Sequence, residues 1–297
     1  MMKIHLSMKK ADTFNIARDI LSGKWLLADP DRMLPIALDF LSRLPVKIDV
    51  EPVEFSAVLA SGETVSLGLD SPDSSPSKDK RKVAIVPLHG PMTKYETCTS
   101  NGTTSLSSLL KTLADDGSVA GLVLDVDSGG GAANSVAPMI EAINYFKATG
   151  KPIIAHCDTC GSAAYWVASQ CNAIYMDNSL SEIGSVGALI CLIDNTAANP
   201  ITGQKIITVY ARESTDKNLS YREALKGKYS LLQDELSPLV KAFQSAVISG
   251  RPNLKKDEDG ILSGKMFLSS DAIKLGMADA VRTLSETVEA VFALSDL

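Results

Sequence analysis

Histidine is scarce in this chain of 297 residues: His5, His89 and His156 are all there are. A hydroxyl or thiol nucleophile that depends on an imidazole therefore has few bases to choose from, and no histidine follows residue 156. Nowhere is there a run approaching the roughly 18 to 20 apolar residues that cross a bilayer. The opening Met1–Lys10 carries charge but neither an apolar core nor a small-residue cleavage site, so no secretory signal is expected. Five cysteines, an odd count, fit reduced thiols better than a disulfide framework. Basic clusters are also nearly missing: the formal net charge is -6, and Lys78–Lys82 is diluted by Asp79, which reads as a solvated hinge. Nucleic-acid phosphates are thus excluded as the main partner. These absences together lead to an expectation of a cytoplasmic chain without a membrane anchor.

The residues present suffice for a substantial core, at 45% hydrophobic and 22% charged. Phe14, Ile16, Ala17, Ile20 and Leu21, then Leu34, Leu38, Leu41 and Leu44, recur at helical spacing, with Pro30 and Pro35 as breaks. A short β-like segment spans 57–69. Residues 1–69 are accordingly expected to form a helical N-terminal region. The Ser-, Pro- and charge-rich tract 70–81 has no apolar periodicity and reads as a flexible linker. From residue 82 to 297 short apolar strands alternate with longer helical segments. Strands are expected at 82–88, 119–126, 152–156, 173–176, 186–193 and 205–210. Helices are expected at about 104–115, 132–148, 162–171, 220–249 and 270–276. That alternation implies an α/β fold on mostly parallel strands.

Three segments carry the chemistry. Ser162 follows a strand and opens a helix-like run, Gly161-Ser162-Ala163-Ala164-Tyr165-Trp166. A serine at such a corner is exposed to substrate, near the positive end of a helix dipole and beside backbone N–H groups, although helix capping uses serine in the same way. The run Ser128-Gly129-Gly130-Gly131 ends another strand, where glycines turn tightly and present N–H groups to a negatively charged oxygen. It lacks both the GxGxxG spacing and the GK[ST] ending of nucleotide loops. With no histidine downstream of Ser162, lysine becomes the better base, and Lys217 follows the last strand on a loop that returns toward the strand ends. Such a lysine must be brought from a pKa of about 10.4 to near neutrality, at about 1.4 kcal/mol per unit. Cys157 and Cys160 form a CxxC with no second pair or histidine cluster, which favours packing over metal or redox chemistry. Asp125 and Asp127 alternate on a strand and flank the glycine turn. Tyr165 and Trp166 read as lining a core or a cleft.

Together these segments resemble the signal peptide peptidase A family of serine peptidases, over about residues 82–285. The matching motifs are Ser128-Gly129-Gly130-Gly131, Gly161-Ser162-Ala163-Ala164-Tyr165-Trp166, Gly184-Ser185-Val186-Gly187 and Lys217. Gly129 stands where that family has proline, and Ala163-Ala164 where it often has glycines. The resemblance implies a Clp/crotonase-type spiral of strand-strand-helix units. It further implies a Ser162–Lys217 dyad, with Ser185 orienting the lysine and an oxyanion hole from Gly130 and Ala163, Gly131 being the near alternative. It implies no metal or cofactor, a polypeptide substrate and a homo-oligomer. The segment Ile20–Leu27 before a Pro-broken helix is similar to the extension of phage head-maturation proteases, which implies capsid or scaffold proteins as partners. A crotonase-like acyl-CoA enzyme and a non-catalytic scaffold-assembly protein of the same fold are the alternatives.

Overall fold

The computed structural model describes residues 25–27, 55–66, 81–96, 101–192 and 207–297. Its centre is a parallel trio, β4 (Lys82–His89), β5 (Val119–Ser128) and β7 (Ile153–Gly161). Val83, Val86, Val123, Leu124, Ile153 and Ile154 are fully buried, as strands covered on both faces require. On one face, α1 (Thr103–Asp115) buries Leu106, Leu109, Leu110 and Leu113, and α2 (Val136–Ala148) buries Met139, Ala142, Ile143 and Phe146. Both sets repeat at three and four residues, the period of one helix face. The opposite face is covered by a C-terminal helix, α7 (Leu284–Ser295), through Val288 and Val291 against Val83, Val123 and Ile154.

The sheet widens on both sides of the trio. A hairpin of β2 (Ser56–Leu59) and β3 (Thr64–Ser66) adds antiparallel to β4, while β8 (Ala173–Met176) and β9 (Glu182–Gly184) each pair parallel with β7. Beyond them lie β10 (Met266–Leu268), antiparallel to β9, and β11 (Ala280–Val281), parallel to β8. A separate two-stranded sheet joins β1 (Trp25–Leu27) to β6 (Gly130–Ala132). The remaining α-helices among the described residues are α3 (Ala163–Ala168), α4 (Leu219–Ala224), α5 (Ser230–Gly250) and α6 (Ser269–Lys274).

The α/β class with mostly parallel strands is the expected one, and several boundaries differ for local reasons. Residues 56–66, assigned above to the N-terminal region, belong to the main sheet because β2 pairs with β4. No strand runs from 186 to 192, since Ser185 takes a φ of 58° and turns the chain out of β9. Residues 207–210 are likewise not a strand; Ile207 and Val209 are strongly exposed. The helix expected over 220–249 divides into α4 and α5 around Gly227, whose φ of 79° no helix accommodates. The helices expected within 1–45 lie outside the described residues except at Trp25–Leu27, which is a strand, and the linker over 70–80 lies outside them too.

Gly121 shows how closely α7 sits on the sheet. A Cβ there would lie 2.4 Å from Val291 Cγ1 and 2.8 Å from the Pro152 carbonyl oxygen. Gly121→Ala should therefore push α7 outward and destabilise the protein by about 1–3 kcal/mol, read as a lower midpoint in urea unfolding. An unchanged midpoint would show that α7 yields without cost.

Candidate active site

Ser162 stands where β7 becomes α3. Gly161 pairs with Gly184 across the β7–β9 ladder, and the Ser162 N–H then donates to the Gly184 carbonyl at 2.8 Å. Held there, Ser162 adopts φ 54° and ψ -119° and caps α3. Such a backbone is costly for any residue with a Cβ, by roughly 1–3 kcal/mol. The surroundings fix it: Gly184 has φ 137°, and a Cβ on it would lie 2.4 Å from the Lys265 carbonyl oxygen. Against the expectation of an exposed serine, Ser162 is fully buried, and its Oγ has no hydrogen-bond partner among the described residues. Strain and an unsatisfied hydroxyl thus meet at one atom.

Two backbone segments adjoin it. Ala163 is the first residue of α3, so its N–H has no acceptor within the helix. The glycine turn arrives on β6, which packs against α3. Ser128 Oγ donates to the Gly90 carbonyl at 2.6 Å and accepts from the Gly130 N–H at 3.1 Å. Gly130, which has φ 97°, therefore spends its N–H within the turn. Met92 braces the next step: its N–H donates to the Gly130 carbonyl at 2.9 Å, and its carbonyl accepts from the Ala132 N–H at 2.8 Å. Because backbone groups alternate along a strand, the Gly131 N–H and C=O face away from Met92. Of the two glycine amides, Gly131 is the one directed outward. The brace of Met92 and the clasp of Ser128 had no signal in the sequence, since both act through residues distant along the chain.

Ser185 directly follows the Gly184 that Ser162 leans on, is nearly buried at 7% exposure, and donates its N–H to the Lys265 carbonyl at 3.0 Å. The structure therefore brings Ser162, Ala163, Gly131 and Ser185 to one corner. Lys217 is exposed on the turn that enters α4, its N–H donating to the Ser214 carbonyl at 3.3 Å. No hydrogen bond joins it to Ser162 within this chain. Cys157 and Cys160 are free and buried in the core, and burial pushes the Cys157 thiol up, with Cys160 adding to it. Trp166 stacks on Phe243 of α5, ring centroids 4.8 Å apart, and so belongs to packing.

The histidines gather elsewhere. Asp125 accepts from His89 Nε2 at 2.9 Å through one oxygen and faces His156 Nδ1 at 3.1 Å through the other. His156 Nε2 faces the Arg282 carbonyl and Asp177, each at 3.2 Å. Burial opposes ionisation of Asp125, but the two imidazoles outweigh it and hold its carboxyl far below the usual carboxylate range. The hydrogen bond to Asp125 likewise raises His89, against some desolvation. The depressed carboxyl stabilises the fold above about pH 3.9, and this is lost as pH falls through its folded value. The raised imidazole stabilises below about pH 6.5, and this is lost as pH rises through its folded value. Asp125→Asn should flatten both limbs of a stability profile from pH 2 to 9. Parallel profiles for the two proteins would show that the triad is electrostatically idle.

Comparison with known proteins bears on this corner directly, because residues 145–297 match the model of peptidase family S49. The chain belongs to peptidase family S49. The match spans Ser162, Ser185 and Lys217, while the glycine turn lies ahead of it and joins the corner through β5, β6 and Met92. Protease 4 of Haemophilus influenzae is 28% identical over 213 residues, 70% of this chain and 34% of that protein. A putative protease of Methanocaldococcus jannaschii is 26% identical over 193 residues, 64% of this chain and 60% of that protein. The S49 chain thus spans about a third of Protease 4 and three-fifths of the archaeal relative. Among solved structures, the 1510-N membrane-bound stomatin-specific protease is 16% identical with a TM-score of 0.38, covering 71% of this chain and 84% of that one. Membership agrees with the signal peptide peptidase A resemblance and favours neither the acyl-CoA nor the scaffold alternative. No helix among the described residues of this S49 chain is long and apolar enough to cross a membrane.

Proposed function

We propose that this S49 chain is a serine endopeptidase whose nucleophile is Ser162 and whose base is Lys217. The observation carrying the reading is the Ser162 corner: a buried hydroxyl without a partner, on a strained backbone, between the Gly131 strand and the first amide of α3. Lys217 accepts the Ser162 proton as Oγ attacks the substrate carbonyl carbon. The N–H groups of Gly131 and Ala163 stabilise the tetrahedral oxyanion. Lys217 returns the proton to the departing amine as the C–N bond breaks, then takes one from the attacking water and passes it to Ser162 Oγ as the acyl–Oγ bond breaks, which restores the free serine and the neutral lysine. Ser185 orients the lysine.

Lys217 reaches Ser162 either by movement of the turn before α4 or from a neighbouring copy in a homo-oligomer. Mixing Ser162→Ala with Lys217→Ala separates the two, because only a base supplied between copies restores cleavage. The resemblance of the N-terminal segment to phage head-maturation proteases supports capsid or scaffold polypeptides as substrates. The deciding experiment is intact mass after incubation with casein and a serine-reactive phosphonate. Wild type should gain one adduct and consume casein, and Ser162→Ala and Lys217→Ala should do neither. An adduct retained on Ser162→Ala would end the reading.

A further inference from the structure

The glycine strand β6 has two edges, and both are occupied. Met92 holds one through the Gly130 carbonyl and the Ala132 N–H. The other, which carries the N–H and C=O of Gly131, is covered by β1 in antiparallel register, Leu26 opposite Gly131, Trp25 opposite Ala132 and Leu27 opposite Gly130. Among the described residues, β1 pairs with β6 in a sheet of their own apart from the nine-stranded one. An extended peptide whose carbonyl is to reach the Gly131 N–H and the Ser162 Oγ must lie along that same edge. Main-chain pairing is blind to sequence, so either strand satisfies it.

We infer that Trp25–Leu27 is a tethered competitor that occupies the substrate-strand position beside Gly131 and must leave before a polypeptide can bind. This rests on the peptidase reading of Ser162. A three-residue ladder supplies few hydrogen bonds, which makes it displaceable. Its tether offsets that weakness, because a segment of the same chain acts at a millimolar effective concentration. The competitor therefore raises the apparent KM and leaves kcat unchanged.

The experiment compares the full chain with Leu26→Pro, which removes the N–H that faces the Gly131 carbonyl and so breaks the ladder through the backbone. Three readouts apply: amide exchange at Gly131, the rate at which a serine-reactive phosphonate labels Ser162, and kinetics on a fluorogenic peptide. Leu26→Pro should exchange Gly131 at least about tenfold faster, label about tenfold faster and lower KM by a similar factor at constant kcat. A synthetic peptide of residues 22–30 should then restore inhibition, competitively. A second variant lacking residues 1–54 should match Leu26→Pro. Equal exchange and equal labelling in the full chain and Leu26→Pro overturn the inference while leaving the peptidase reading intact. Absence of labelling in every form overturns both.

Discussion

Replacing Ser162 with glycine should abolish peptide cleavage and at the same time make the protein more stable. The loss follows from the missing nucleophile and should reach about 10⁴-fold or more in kcat/KM. The gain follows from two features of the same residue. Its φ of 54° and ψ of -119° strain a side chain with a Cβ but suit glycine. Its buried Oγ has no partner, and an unsatisfied hydroxyl costs about 1–3 kcal/mol. Glycine's extra unfolded-state entropy returns about 1 kcal/mol of this, so a net gain of about 1–5 kcal/mol remains. Thermal unfolding should move up by at least about 2 °C for a domain of this size. Ser162→Ala separates the contributions, since it removes the hydroxyl but keeps the Cβ and its strain. It should be equally inactive and gain less. A variant that melts below wild type would mean that the corner is unstrained and that Ser162 is a structural cap.

Why the backbone corner at Ser162 was legible and the place of Lys217 less so is a matter of distance along the chain. The corner is local: a strand, a Gly-Ser step and a helix, all within ten residues, so the sequence pattern and the backbone coincide. The same holds for β5 and α2, whose burial follows their own apolar period. Helix α7 was not among the expected helices although Thr283 and Glu286 form a local capping box, and its role as the cover of the second face depends on Val83, Val123 and Ile154 far upstream. The failures share a cause. Apolar runs at 186–192 and 207–210 have strand composition, but Ser185 turns the first run out of β9, so that Leu189 alone makes a bridge there, and Ile207 and Val209 of the second are exposed. The glycine run was read as the source of an oxyanion donor, with Gly130 ahead of Gly131. Choosing between Gly130 and Gly131 required the Ser128 Oγ and the Met92 backbone, neither of which the glycine run reveals.

That choice makes Gly131→Ala the sharpest test of the oxyanion assignment. A Cβ on Gly131 would lie 2.1 Å from the Met92 carbonyl oxygen and 2.6 Å from its nitrogen, both rigid backbone. The strand must shift toward its other edge, which displaces the Gly131 N–H from its place beside the Ser162 corner. Losing one oxyanion donor lowers kcat by about 100- to 1,000-fold. The same shift breaks the bridge to Met92, so a stability loss of about 1–3 kcal/mol accompanies it. Met92 itself offers the control, because it acts on Gly131 through its main chain. Met92→Leu keeps those hydrogen bonds and the buried volume and should retain activity within a few-fold. Activity is to be measured below the melting range of each variant, with phosphonate labelling of Ser162 reporting whether the nucleophile is still in place. Gly131→Ala at wild-type kcat, with Met92→Leu also active, would move the oxyanion site off the glycine strand and leave Ala163 as its donor.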